Sequence, residues 1–421
     1  MAKTYDTYKD SGIAWIGNIP SGWSTIKNKY LYSLLYSGGT PTASEGKFYA
    51  EEGCPFVAIS DMSTTEYVTE TKKHLTEDGI ANKNLKILPS GTILYSIYAT
   101  VGVVSELMID ATISQAMLAI ELKSKINKSY YKYNLKAMKD YIFSQANGNT
   151  QFNLNAEKVS NFVFCFPPLS EQQAIATYLN KKCGEIDSLI SLQEEMISEL
   201  QAYKQSVITE AVTKGLDTNV TMKDSGVVWI GEMPAHWNLC KLKMAYTLLN
   251  GRAYSDVELL ENGKYRILRV GNLFTSDKWY YSNLELEQYK YCEEGDLLYG
   301  WSASIGPYLW KQEKVIYHYH IWKVLFKPND LIFSYYLLDA ITQAKQKDMH
   351  GSAMQHLTKS NMDNSYICLP PLSEQQAIAS YLDEKTSQID SLIALKQEKI
   401  TELKDYKKSI IYEYVTGKKK V

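Results

Sequence analysis

The chain has 421 residues, a formal net charge of −2, 45% hydrophobic and 22% charged residues. That is the balance of a folded protein with enough length for two cores. No run approaches the roughly 18 apolar residues of a membrane span, and the opening residues lack the apolar segment of a secretory signal. Near-neutral charge argues against strong indiscriminate nucleic-acid binding, which needs clustered Lys and Arg, but it leaves room for a local basic surface. The six cysteines contain no Cys-x-x-Cys pair, which suits free thiols in a reducing cytoplasm.

From the N-terminus, residues 9–23 read KDSGIAWIGNIPSGW and return at 223–237 as KDSGVVWIGEMPAHW. Next comes a globular stretch of about 24–165. Within it, residues 91–102 (GTILYSIYATVG) line up with 295–306 (GDLLYGWSASIG) in a second stretch of about 238–368. Each reads as an apolar strand running into a glycine-bounded turn. Otherwise the two globular parts resemble each other only faintly. Residues 167–179, PPLSEQQAIATYL, recur at 370–382 as PPLSEQQAIASYL, and long matching segments follow at 186–213 and 389–416. The period is too long for a solenoid, so the chain is two copies of one unit that keeps its helices and varies its globular part.

The helices are expected to open at the Pro-Pro pairs, with Ser170 and Gln173, and Ser373 and Gln376, forming capping boxes. A strict 4–3 spacing then places Ile175, Leu179, Ile186, Leu189, Met196, Leu200, Tyr203 and Val207 on one stripe. The second copy repeats it with Ile378, Leu382, Ile389, Leu392, Leu403, Tyr406 and Ile410. Such heptads without internal Pro or Gly predict a coiled coil. At some 40 residues, roughly 60 Å at 1.5 Å per residue, each helix would overshoot a domain of this size. The short linker after the first helix requires the pair to run antiparallel, with the domains at opposite ends. It also predicts that the chain near residue 416 returns to the opening motif at 8–23.

These features resemble the specificity subunit of type I restriction–modification enzymes: the doubled WIGxxPxxW motif, the doubled PPLxEQxxIAxxL helix start and the paired long helices. The resemblance covers nearly the whole chain. It implies an α+β fold of two mixed α/β target-recognition domains joined by an antiparallel coiled coil, with a pseudo-two-fold internal duplication. The corresponding segments are 1–166 and 222–369 for the recognition domains, and 167–221 and 370–421 for the helical regions. It implies a non-catalytic chain that reads both halves of a split, asymmetric site in double-stranded DNA. Its partners would be two modification subunits carrying S-adenosylmethionine and restriction subunits carrying ATP and Mg2+. An approximately two-fold rod suits duplex DNA, whose half-sites lie about 34–36 Å apart per helical turn.

The chain's own chemistry agrees with a non-catalytic role. The stretches 166–169 (FPPL) and 369–372 (LPPL) lack the polar residue and the stacking aromatic of a base-flipping methyltransferase motif. Gly12-x-x-x-x-Gly17 and its copy are followed by Asn18 and Glu232, not by the lysine of a phosphate loop. His318 and His320 share a strand face but have no further ligand at metal spacing. The cofactors are therefore expected on partner subunits and none in this chain, with no metal and no catalytic residue. A tethering scaffold that touches no DNA is the competing class, favoured by the near-neutral charge; a self-contained restriction–methylation enzyme is a third.

Candidate base readers follow from side-chain chemistry. The chain has three arginines, Arg252, Arg266 and Arg269, and Arg266 and Arg269 precede Asn272 in YRILRVGNL; Arg suits guanine and Asn suits adenine. The matching stretch PFVAISDM offers Ser60 and Asp61. Ser302, Ser304 and Thr100 occupy the turns after the apolar strands. Gln151, Asn153, Gln355 and His356 sit in equivalent glycine-led loops, where they either contact DNA or bond within the loop. Lys72, Lys73 and Lys264 are expected at phosphates or in solvent. The tryptophan motifs at 15–23 and 229–237 either pack the domains on the helix ends or dock a modification subunit.

Overall fold

A computed structural model of the protein describes residues 3–42, 46–62, 65–144, 154–327, 329–348 and 357–421. The chain divides into two compact units, Met1–Gln193 with Glu398–Val421, and Glu194–Gln397. Each contains one globular part and portions of both long helices, Leu169–Lys214 and Leu372–Val415.

The first unit opens on a hairpin, Tyr8–Asp10 with Asn18–Pro20. Strand Ser24–Lys27 then pairs antiparallel with Val163–Phe166, which closes the globular part on itself and sets the hairpin beside the start of the first helix. Between them, a five-stranded sheet runs in the order Tyr32–Ser37, Met117–Leu122, Ile93–Ser96, Val104–Leu107, Tyr67–Val68, antiparallel except for the last pair. Ile93–Ser96 is fully buried at its centre, as a continuous apolar and aromatic run favours. A second sheet runs Thr112–Ile113, Cys54–Val57, Lys73–Leu75, Tyr49–Ala50, its first pair parallel. Helix Lys128–Ser144 follows.

The second unit repeats this plan. Hairpin Met222–Asp224 with Glu232–Pro234 leads to strand Asn238–Lys241, paired with Tyr366–Leu369. One sheet runs Tyr246–Asn250, Ile321–Phe326, Leu297–Gly300, Gly306–Leu309, and another Tyr280–Ser282, Tyr265–Leu268, Val315–Tyr317, Tyr291–Cys292, whose central pair is parallel. Where one unit has an edge strand in the second sheet, the other keeps a single bridge, Leu88–Ala111 or Leu260–Tyr281. The topology is thus shared although the sequences are barely alike.

The repeated PPLSEQQ motif has a structural reason. The carbonyl of Pro168 accepts from the amides of Glu171 and Gln172, both at 2.9 Å, and Pro371 does the same for Glu374 and Gln375. Proline therefore begins each helix, and Ser170 and Ser373 lie inside the first turn. The expected capping boxes do not form; Gln173 instead accepts from the amide side chain of Asn127. Glu171 and Glu374 suit the positive end of the helix dipole, and each accepts the indole N–H of its unit's motif tryptophan, Trp23 or Trp237, at 2.9 Å. Gln172 donates to Pro167 and accepts from the Asn127 amide; Gln375 repeats this with Pro370 and Asp330. Both tryptophans are buried, so the motif packs the hairpin onto the helix start. Trp237→Phe removes both the donor and part of the buried indole that Gly215 packs against, and is expected to cost about 2 kcal/mol or more in urea unfolding, His236 remaining as a partner of Glu374 at 2.8 Å.

In the first unit the chain end returns to the opening motif, as expected from connectivity. Lys3 bridges Lys420, Tyr412 donates to the Trp15 carbonyl at 3.0 Å and Lys418 donates to the Asn18 carbonyl. In the second unit the end of the first helix takes the same place, with Gly215 packed against Trp237 and the Cys368 thiol donating to the Val212 carbonyl at 3.2 Å.

The long helices run antiparallel within each unit. Lys407 pairs with Asp187 at 2.6 Å in the first, and Lys204 pairs with Asp390 at 2.7 Å in the second. These are the same pair in the two copies. They correct the expected stripe by one residue at Leu189, Met196, Tyr203, Leu392 and Tyr406. Leu189, Tyr203, Leu392 and Tyr406 are exposed, whereas Cys183, Ile190, Ile197 and Lys204, and Thr386, Ile393, Ile400 and Lys407, face inward. With Leu179, Ile186, Gln193, Leu200 and Val207, and Leu382, Ile389, Lys396, Leu403 and Ile410, which are buried or half-buried, they restore an unbroken 4–3 spacing. Ile175 and Ile378 are buried next to this seam, and Met196 is half-buried. The seam lysines lay their alkyl stems along the helix pair and reach a carboxylate at its rim.

Candidate nucleic-acid interface

In the second unit, strand Tyr265–Leu268 runs into a helical turn, Val270–Phe274. Arg269 stands at the junction, exposed, with its guanidinium 5.4 Å from the Tyr280 ring centre. It faces a cavity of about 370 Å3 lined also by Asn272, Ser276, Lys278, Ser302, His318 and His320. Among the described residues no carboxylate pairs with Arg269. The other two arginines are committed: Arg252 to Glu258 at 2.7 Å while lying over Tyr254, and Arg266 to Glu313 while lying over Trp279. The Glu258 carboxyl is held down at about 2, chiefly by the Arg252 hydrogen bond. Lys264 pairs with Glu285.

Asn272 shapes the loop with its whole amide. Its oxygen accepts from the Arg269 amide at 3.0 Å, and its nitrogen donates to the Lys278 carbonyl at 2.8 Å. In the first unit Asp61 has the same role, accepting from the Ala58 amide at 2.8 Å, and the exposed Ser60 hydroxyl leans on Asp61. Asp61 and Asn272 thus hold equivalent turns, and the residue presented differs: Ala58 in one, Arg269 in the other. Both apolar-strand turns carry an alanine with positive φ, Ala99 at 58° and Ala303 at 64°, a backbone region that costs a non-glycine residue about 1 kcal/mol or more. Thr100 is exposed beside the first, and the partly buried Ser304 and buried Ser302 flank the second. Lys72 and Lys73 are exposed, Lys73 over Tyr49. Gln151, Asn153, Gln355 and His356 lie outside the described residues.

The sequence reading did not bring Ser276, Lys278 and Tyr280 to this place. Tyr280 arrives because Tyr280–Ser282 pairs with Tyr265–Leu268, a register that spacing alone does not give. His318 and His320 line the same cavity, and among the described residues no group of three or more His, Cys, Asp or Glu is placed to hold a metal. His320 packs edge-on against Trp301 and His318 lies 4.9 Å from His320.

Residues 20–202 and 234–405 each match the family described as the type I restriction modification DNA specificity domain. The chain belongs to that family. Its relatives include the type I restriction enzyme MjaVIII specificity subunit of Methanocaldococcus jannaschii, 28% identical over 73% of this chain and 74% of that one. The MjaIX specificity subunit of the same organism is 24% identical over 96% and 95%. A chain from a solved structure on complex assembly and conformational transition of the type I R-M system has the same fold, with a TM-score of 0.69 over 94% of this chain and 98% of its own at 16% identity. Specificity subunits of this family recognise DNA without being catalytic and carry no cofactor of their own. No helix among the described residues is long and apolar enough to cross a membrane.

Within this specificity fold, burial, the neighbouring His320 and the charge of Arg269 together push His318 down to about 4. Its Nδ1 accepts from the His320 amide at 3.4 Å, as a neutral ring does. Since the folded pKa lies below the unfolded one of about 6.5, the unfolded chain binds a proton first as pH falls. This contribution to stability is present above about pH 6.5 and is lost as pH drops toward 4. Allowing for screening at a partly accessible ring, wild type is expected to lose about 1 kcal/mol more than His318→Asn between pH 7 and pH 5 in urea unfolding. Equal losses would remove His318 as the cause.

Proposed function

We propose that residues 1–166 and 222–369 act as two separate readers, each taking one half of an asymmetric split site in double-stranded DNA. The helical regions 167–221 and 370–421 set the distance between the half-sites. They also dock two modification subunits, which bring S-adenosylmethionine, and restriction subunits, which bring ATP and Mg2+, in the cytoplasm. The observation that carries this reading is the same loop frame built twice with different side chains at its rim, beginning with Ala58 and Arg269. A scaffold has no need to vary a shared rim, whereas a reader of two unlike half-sites does. Within the second reader, the contact set is Arg269 with the loop held by Asn272, together with the Ser302–Ser304 turn. In the first it is the Ser60–Asp61 loop with Thr100. The committed side chains of Arg252, Arg266 and Lys264 shape the second domain, and Lys72 and Lys73 meet phosphates. The test is selection of bound duplexes from a randomised pool at fixed salt by the chain with its methyltransferase partner. Enrichment of a split asymmetric motif is expected; recovery of unselected sequence would favour the scaffold.

A further inference from the structure

Beyond the loop pair just described, the two units share a second piece of frame around the same cavity. The His318 amide donates to Leu268 at 2.9 Å and the Ser114 amide to Val57 at 3.0 Å. The His320 carbonyl accepts from Trp301 at 3.1 Å, and the Ala116 carbonyl from Ile97 at 2.9 Å. In each unit one glycine, Gly251 or Gly38, lies against the carbonyls of the residues leading into this segment, with no room for a Cβ. Three rim positions are therefore equivalent in backbone and opposite in chemistry: Arg269, His318 and His320 in one unit, Ala58, Ser114 and Ala116 in the other.

Resting on the reading of the chain as a DNA specificity subunit, we propose that these three positions form a specificity set. Arg269, walled by His318 and His320, holds a guanine of the second half-site, and the equivalent rim of the first unit does not demand one. The Tyr280 ring, 5.4 Å from the guanidinium carbon, favours a fixed position for the cation. A planar fork of donors matches the O6 and N7 acceptors that guanine alone presents together in the major groove. Ala58 and Ala116 offer no side-chain donor, and Ser114 offers one hydroxyl, so the first rim cannot hold that acceptor pair.

The experiment uses the full chain with its methyltransferase partner. First, wild type must select a split motif; failure there would overturn the underlying function and not this assignment. Wild type is then bound to its own site with each guanine of the second half replaced in turn by 7-deazaguanine, which removes N7 alone. One position is expected to lose roughly tenfold or more in affinity. Arg269→Ala is expected to be insensitive to that replacement and to relax base preference at that one position roughly ten- to a hundredfold, leaving the first half-site unchanged; Arg269→Lys is expected not to restore it. A second half-site without guanine, or one in which no 7-deazaguanine matters, would overturn the proposal. So would equal weakening of all sequences by Arg269→Ala with a salt slope reduced by about one, the signature of a phosphate contact. The wild-type arm is independent of whether the variants fold.

Discussion

Gly251→Ala is expected to destabilise the second unit by about 3 kcal/mol and to erase selectivity at the second half-site alone. A Cβ on Gly251 would stand 2.6 Å from the His318 carbonyl carbon and closer still to the carbonyl oxygens of Tyr317 and His318. These are backbone atoms held by the parallel pair of Tyr265–Leu268 with Val315–Tyr317, so they cannot step aside as a flexible side chain would. The strand end that carries His318 must move, and the cavity facing Arg269 moves with it. For a unit of this size, 3 kcal/mol corresponds to a midpoint about 6–12 °C lower, read by thermal unfolding. Gly38→Ala is the same experiment in the first unit, where Cβ would meet Ile113 and Ser114; it should damage the first half-site and spare the second. A loss below about 1 kcal/mol in both would mean that the close approach relaxes and does not hold the rim.

Inserting one heptad into each long helix, between residues 187 and 204 and between 390 and 407, is expected to lengthen the recognised spacer while both half-sites stay as they are. Seven residues preserve the 4–3 seam. They also preserve both register-setting pairs, because Asp187 and Lys407 keep their partnership in the first unit and Lys204 and Asp390 keep theirs in the second. The helices grow by about 10 Å, which bounds the change at about three base pairs of 3.4 Å each. An insertion in one helix alone shifts one ion pair against its partner and offsets the seam, and should abolish site-specific methylation. Retention of the original spacer after the paired insertion would contradict the helices as the measure of half-site distance.

Much of this architecture is written in the sequence because it is written twice. The PPLSEQQ repeat locates both helix starts, and its repeated letters turn out to have bonds: Glu171 and Glu374 to tryptophan, Gln172 and Gln375 to the preceding proline carbonyl. The glycine-bounded runs at 91–102 and 295–306 emerge as central strands with their hairpin partners. The seam is displaced by one residue at Leu189, Met196, Tyr203, Leu392 and Tyr406 because a register counted from Ile175 finds Leu189 as apolar as Ile190, and Tyr203 more apolar than Lys204. A lysine whose stem packs and whose ammonium finds Asp390 is invisible to that count. The capping box failed for a related reason, since the proline carbonyl already serves the first turn. Among candidate readers, three basic residues in one stretch look alike on paper. Only the fold separates Arg269 from Arg252 and Arg266, whose carboxylate partners come from Glu258 and, 47 residues from Arg266 in sequence, Glu313. The rim set was illegible for lack of register: pairing Ser114 with His318 requires the strand ladders of both units.

The most direct test of the central claim is a genome-wide map of methylated bases in a methylation-free host that carries the partner methyltransferase, with and without this chain. The account predicts a split, asymmetric motif that appears only when the chain is present and whose two halves respond separately to Gly38→Ala and Gly251→Ala. A methylation pattern indifferent to the chain would contradict it.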